Sequence, residues 1–242
     1  WLFGQYNKLL PAKASCRGLM RLTCNGGEEP PLEDVAGRIA EEAGHLGDYL
    51  ADLDTRNGAA RDNAFATAFP RSGPDNEKGR MRYGTHFVGS VNSRGLLSGL
   101  LHDYGLAALD GREGVHIRPT TAGLQFAMLR NPVLDENASV PPTRFSEEER
   151  EFLLAHVLAS VPTEASAFRA LASAIADGAN TPDSLDEALQ ADLPEDVREN
   201  VSSSFLSSQR SGALSRMADL GLVARKRKGV KVTYHVTSPI AT

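Results

Sequence analysis

The chain has little of what disulfide-stapled, membrane-spanning or metal-dependent proteins are built from. Its 242 residues include two cysteines, one tryptophan and only 6% aromatics. No run of 18 or more apolar residues occurs, so the sequence supports no transmembrane helix. Cys16 and Cys24 fall on one predicted helix, where their Cα atoms would lie roughly 12 Å apart at 1.5 Å per residue. That separation is beyond the reach of a disulfide, and a reduced, cytoplasmic setting is expected. A glycine-rich phosphate loop, HExxH, CxxC and Gly-x-Ser-x-Gly are all missing. His45, His86, His102, His116, His156 and His235 are scattered without metal-ligand spacing. Cys16, Cys24 and His45 are the one set that could meet around a metal, and buried thiols on a helix more simply fill core. Glu41-Glu42 and Glu147-Glu148-Glu149 read as solvated helix faces and starts, not as paired catalytic carboxylates. The expectation is therefore no enzyme, no cofactor and no metal. Excess positive charge is missing too: Lys plus Arg total 26 against 31 Asp plus Glu, a net charge of −5. Proteins that bind nucleic acid over their whole surface are basic, so any such binding here needs a local patch.

What is present is ordinary globular material, 41% hydrophobic and 24% charged, rich in Ala, Leu and Ser and so leaning towards helices. The length allows two modest domains, each with its own core. The start, WLFGQYNKLLP, lacks an initiator Met and a signal-peptide pattern. It reads as the middle of a helix, which suggests a fragment of a longer chain.

The most informative stretch is Ser207 to Thr237, SSQRSGALSRMADLGLVARKRKGVKVTYHVT. Ala213, Leu214, Met217 and Leu220 share one side of a 3.6-period helix. Gly221 is placed to end it in the left-handed conformation, with Leu222 returning to the core. Val230, Val232, Tyr234 and Val236 then alternate with Lys231, Thr233 and His235, the pattern of a half-buried strand. Lys228-Gly229 is the predicted hairpin turn, and Arg225, Lys226, Arg227, Lys228 and Lys231 gather on that projection.

A related unit occurs earlier in the chain. Arg94, Asp103, Gly105 and Leu106 align without a gap on Arg210, Asp219, Gly221 and Leu222. Each copy runs on into a glycine-containing turn and a strand, GREGVHIRPTT in the first and RKGVKVTYHVT in the second. Upstream, Leu10-Pro11, Cys16 to Leu19 and Asn25-Gly26 parallel Val161-Pro162, Phe168 to Leu171 and Asp177-Gly178. PPLEDVAGRIAEEAG parallels TPDSLDEALQADLP, each a proline followed by a helix with acids in its first turns. Four matched segments in one order predict an internal duplication.

The copies differ in two respects. The first carries an insertion at about 54–86, mildly basic through Arg56, Arg61, Arg71, Lys78, Arg80 and Arg82, with Ala59 to Phe69 a candidate helix. Its turn is neutral, since Arg112 and Arg118 offset Asp110 and Glu113. Thr121 to Leu129 reads as a helix leaving into a linker of turn formers and proline. Ser146 followed by Glu149 is a capping-box pattern that starts the next helix. The expected domains are 1–130, a linker at 131–145, and 146–242.

Lys and Arg supply salt-dependent affinity for phosphate, so the basic hairpin is the leading candidate for a DNA contact. On the helix before it, Ser208, Ser211, Gly212 and Ser215 are expected opposite the core, with Gln209 and Arg216 on the flanks. Small hydroxyl residues there permit close approach to a groove, or equally to another protein helix. Arg210 or Arg216 is the candidate reader of guanine. The corresponding side of the first copy, Asn92, Gly95, Gly99 and His102, reads as a contact surface.

The run MADLGLVARKRKGVKVTYHVT resembles the helix-into-wing segment of the winged helix-turn-helix superfamily, in a tandem arrangement like that of some prokaryotic transcription regulators. The resemblance implies a mainly α fold with small β-hairpin wings, two such domains in tandem. It implies sequence-specific or structure-specific binding of double-stranded DNA through Ser208, Gln209, Arg210, Ser211, Ser215, Arg216, Arg225, Lys226, Arg227, Lys228 and Lys231, as in a transcriptional regulator. A homodimer or protein partner would use the first domain. The superfamily also contains modules that bind only protein, so the alternative is an adaptor in a replication, chromosome-organisation or phage-defence complex.

Overall fold

The computed structural model describes residues 6–24, 30–60, 63–110, 115–136, 141, 143–193 and 195–240. Asn25-Gly26, Arg61, Arg112 and Glu113, used above in matching the copies and weighing their charge, lie outside them. The chain divides into two compact units. An N-terminal unit holds Lys8–Phe152, and a C-terminal unit holds the chain from Leu153 together with Tyr6 and Asn7. Residues 131–152 thus belong with the first unit. The protein is mainly helical, and each sheet among the described residues is a two-stranded antiparallel hairpin. No helix among them is long and apolar enough to cross a membrane.

The N-terminal unit opens with α1 (Leu10–Thr23) and α2 (Leu32–Arg56). A 3-10 turn at Pro74–Asn76, α3 (Glu77–Tyr83) and a π-turn at Gly84–Val88 follow. Then come β1 (Ser90–Val91), β2 (Leu97–Ser98), α4 (Leu100–Asp103), β3 (Ala107–Asp110), β4 (His116–Pro119) and α5 (Thr121–Met128). Helix α6 (Glu147–Ser160) starts on the expected capping box: Glu149 N–H donates to Ser146 Oγ, and Ser146 N–H donates back to Glu149 Oε2 at 2.9 Å. Cys16 is fully buried in α1 and Cys24 follows the helix exposed; both are free. Burial pushes the Cys16 thiol up to about 12, so it stays protonated and inert.

Several expectations for this unit are corrected. Helix α1 begins only at Leu10, and Asn7 to Leu9 are not helical. The described part of Ala59 to Phe69 forms turns instead of a helix, with Ala68 at φ 72°. The carboxylate of Asp54 accepts the N–H groups of Phe65 and Ala66, which ties these turns to the end of α2. Glu149 is fully buried, not solvated. It lies 2.9 Å from the equally buried Lys13 Nζ and accepts from Asn131 Nδ2. Lys13 donates to the carbonyls of Phe126 and Leu129 and lies over the Phe126 ring. Burial pulls Lys13 below the usual lysine value, while Glu149 acts in the opposite sense.

The largest departure is at Ser93 to Leu106, which was expected to match the helix at Gln209 to Leu222. Residues 90–98 form the β1–β2 hairpin instead, closed by Asn92, whose Oδ1 accepts from the N–H groups of Arg94 and Leu96. The glycines decide this. Gly99 sits at φ 135°, and a Cβ there would lie 2.8 Å from the Cα of Gly89. The two backbones cross too closely for any side chain, and a helix cannot continue through that φ. Only the four-residue α4 remains of the expected helix.

The C-terminal unit contains α7 (Pro162–Ala176), α8 (Pro182–Asp192), α9 (Glu195–Arg198), α10 (Ser203–Asp219), β5 (Val223–Lys228) and β6 (Lys231–Val236). Helix α8 carries a capping box between Thr181 and Ser184, and Ser202 caps α10 by accepting from Phe205 N–H. Leu171, Leu185, Leu206, Ala213, Leu214, Met217, Leu220 and Leu222 form the core.

Both units use one set of backbone contacts after their last helical turn. Gly105 and Gly221 sit at φ 64° and 74°. Leu106 N–H donates to Leu101 O, as Leu222 N–H donates to Met217 O. Thr120 N–H returns to Leu106 O, as Thr237 N–H returns to Leu222 O. The Thr120 hydroxyl reaches Gly105 O at 2.7 Å, and the Thr237 hydroxyl reaches Gly221 O at 2.6 Å. Each hairpin is also tied to a helix start: Leu32 N–H, the first residue of α2, donates to Val115 O just before β4, and Tyr234 N–H in β6 donates to Asn180 O just ahead of α8.

Candidate nucleic-acid interface

The β5–β6 hairpin pairs Val223 with Val236, Arg225 with Tyr234, Lys226 with Thr233, Arg227 with Val232 and Lys228 with Lys231. The turn residues are Gly229 at φ 63° and Val230, one position later than expected. Val230 is therefore not an inward strand residue but the tip, 93% exposed. Because side chains alternate across a strand and directly paired residues share a face, Lys226, Lys228 and Lys231 lie on one face with Thr233. Arg225 and Arg227 lie on the other, with Val232 and the buried Tyr234. All five cations are exposed. Lys226, Lys228 and Lys231 have no carboxylate partner among the described residues. Lys228 stands directly opposite Lys231, a like-charge pair that costs the isolated hairpin stability and that a polyanion would relieve.

Helix α10 presents a different surface from the one expected. Ser204, Ser208, Ser211 and Ala218 are exposed and Ser215 half-buried, all on one stripe at helical spacing. Gly212, expected on that outer side, is buried. So are three of the six polar residues of this helix expected to contact DNA, Gln209, Arg210 and Arg216. Gln209 is 3% exposed. Arg210 is held against Asp186 at 2.7 and 3.1 Å and against Ser207 Oγ at 2.8 Å. Arg216 is fully buried, with Nε 2.5 Å and Nη2 2.9 Å from the two carboxylate oxygens of Glu164 on α7, and it also donates to Tyr6 O. A bidentate pair of this kind holds the guanidinium in one orientation, so neither arginine is presented to solvent. The reason is positional. Leu206, Gln209, Ala213, Arg216 and Leu220 recur at three- and four-residue steps, which puts 209 and 216 on the inward side despite their polarity.

Sequence reasoning missed Phe205, in the first turn of α10 and 48% exposed. At helical spacing it lines up with Gln209, Gly212 and Arg216, which are all buried, so the period alone gave no signal that its ring would stand half exposed. The C-terminal unit thus carries a cationic hairpin, an uncharged serine face on α10, and a half-exposed aromatic in the first turn of that helix.

Among the described residues, the corresponding elements of the N-terminal unit show none of these. Arg118 is exposed on β4, and the hairpin β1–β2 replaces most of the corresponding helix. In the insertion, Arg80 pairs with Glu41 at 2.8 Å and Arg71 with Asp48 at 3.3 Å, so part of its basic charge is neutralised by α2. Beside α2 and α3 lies a cavity of about 660 Å³ lined by Pro31, Leu32, Ala36, Arg80, Met81 and Val115, within the range of small-molecule sites. Comparison with protein-family models, curated proteins and solved structures finds no match to this chain.

Proposed function

We propose that the chain is a tandem pair of winged helix-turn-helix domains and that the C-terminal one binds double-stranded DNA, as a transcriptional regulator acting in the cytoplasm does. The observation that carries the DNA reading is the β5–β6 hairpin, five exposed cations on one projection of a chain with net charge −5. Three lysines on a single face, with no carboxylate partner among the described residues, are free to neutralise phosphates, and helix α10 would enter the major groove. The tandem reading is supported by the paired hydrogen bonds at Gly105 and Gly221 and at Thr120 and Thr237. The N-terminal unit has a different task in this scheme. Its helix is interrupted where DNA would be read, and its cavity suits a small effector.

Fluorescence-anisotropy titration of the chain on a mixed-sequence duplex tests this. Binding is expected at low salt and should weaken steeply as salt rises, with log K falling linearly in log salt. Absence of binding at low salt would overturn it. A pull-down that captures a protein partner while duplex DNA is not bound would select the second reading, a protein-interaction adaptor, which the interrupted helix of the N-terminal unit and the uncharged face of α10 also suit.

A further inference from the structure

We infer that the first turn of α10 recognises thymine through Phe205, giving the protein a preference for duplexes whose thymines carry their 5-methyl groups. This deepens the DNA-binding reading and rests on it.

The argument runs by chemistry. In the major groove, guanine is read by Arg or Lys on O6 and N7, and adenine by Asn or Gln on N6 and N7. Helix α10 has two arginines and one glutamine, and all three are buried: Arg210 against Asp186, Arg216 against Glu164, and Gln209 at 3% exposure. Neither arginine can reach a base edge without breaking its ion pair, and Gln209 is covered by the unit. What the helix leaves outside is hydroxyl groups and one ring. Serine hydroxyls accept or donate to any base and discriminate little. The ring of Phe205 is apolar, and the one apolar group on a major-groove edge is the thymine methyl.

Position supports the chemistry. Residues at the N-terminal end of a recognition helix are the ones that meet base edges, and Phe205 stands in the first turn, its N–H held 3.2 Å from the Oγ of the capping Ser202. The cations of the β5–β6 hairpin supply the phosphate attraction, and Phe205 supplies the discrimination that phosphate contacts lack.

The test uses the full chain and three labelled duplexes: an A·T-rich duplex, the same duplex with every thymidine replaced by deoxyuridine, which removes only the 5-methyl group, and a G·C duplex of equal length. Wild type is expected to bind the thymidine duplex about fivefold or more tightly than its deoxyuridine counterpart. Phe205→Ala should bind both alike, near the wild-type affinity for the deoxyuridine form, while Phe205→Leu should keep part of the preference. Salt-dependent binding by wild type with no difference between thymidine and deoxyuridine would overturn this proposal and leave the DNA reading standing. A preference retained in Phe205→Ala would overturn it as well. Failure to bind all three duplexes would overturn the DNA reading itself, and this proposal with it.

Discussion

Glu164→Ala is expected to destabilise the C-terminal unit by about 3–5 kcal/mol, the cost of stranding one partner of a buried ion pair. Arg216 is fully buried, and its guanidinium spans both carboxylate oxygens of Glu164 while donating to Tyr6 O. Arginine cannot shed its proton in a protein, so without Glu164 a full charge stays in the core. Against a typical stability of about 5–15 kcal/mol for a domain, this loss should lower the unit's melting temperature by many degrees, read by circular dichroism on heating or in urea. Replacing both partners, Glu164→Leu with Arg216→Met, should recover most of the loss, since a buried pair is worth little over well-packed apolar residues. A Glu164→Ala variant as stable as wild type would show that the pair does not hold α10 against α7. Lys13 and Glu149 give an informative contrast. Lysine can become neutral, and burial already draws Lys13 that way, so Glu149→Gln should cost less than Glu164→Gln.

The triple reversal Lys226→Glu, Lys228→Glu, Lys231→Glu is expected to weaken duplex binding about a hundredfold or more at moderate salt. Each lysine that neutralises a phosphate contributes about 0.9 to the slope of log K against log salt, so the slope should become shallower by roughly three. The three residues share one face of β5–β6 and are all exposed, so the melting temperature should stay near wild type. Because phosphate contacts carry no sequence information, the loss should be the same on thymidine and deoxyuridine duplexes, unlike the effect of Phe205→Ala. Affinity and salt slope unchanged in the triple variant would remove the hairpin from the interface.

Much of the C-terminal unit was legible in the sequence because its signals are local. The 3.6 period of Ala213 to Leu220, the glycine at 221 and the alternation from Val230 to Val236 each need only a short window; helix and stop stand where they point, and the strand starts one residue later, at Lys231. The capping box at Ser146 and Glu149 is local in the same way. What the sequence hid depends on partners far along the chain. Arg216 finds its carboxylate 52 residues away and Arg210 finds Asp186 24 away, so both looked like solvent-facing charges although the helical period placed 216 inward. Glu149 was hidden by two acidic neighbours that are exposed. The β1–β2 hairpin was hidden by a real similarity. Gly105 and Leu106 make the same backbone contacts as Gly221 and Leu222, but Gly89, Gly95 and Gly99 impose positive φ values that no helix adopts. The candidate site changed accordingly. The hairpin cations, Ser208 and Ser211 are exposed as expected, Gln209, Arg210 and Arg216 are not, and Phe205, an aromatic that attracted no notice, is half exposed in the first turn.

The central claim is that DNA meets α10 and the β5–β6 hairpin and leaves the N-terminal unit untouched. Backbone amide chemical-shift mapping of the full chain titrated with duplex DNA at low salt tests it most directly. Perturbations are predicted over Ser202 to Ser211 and Ala224 to Thr233, with the amides of α1, α2 and β3–β4 unmoved. Shifts centred on the N-terminal unit, or none at saturating duplex, would contradict the account.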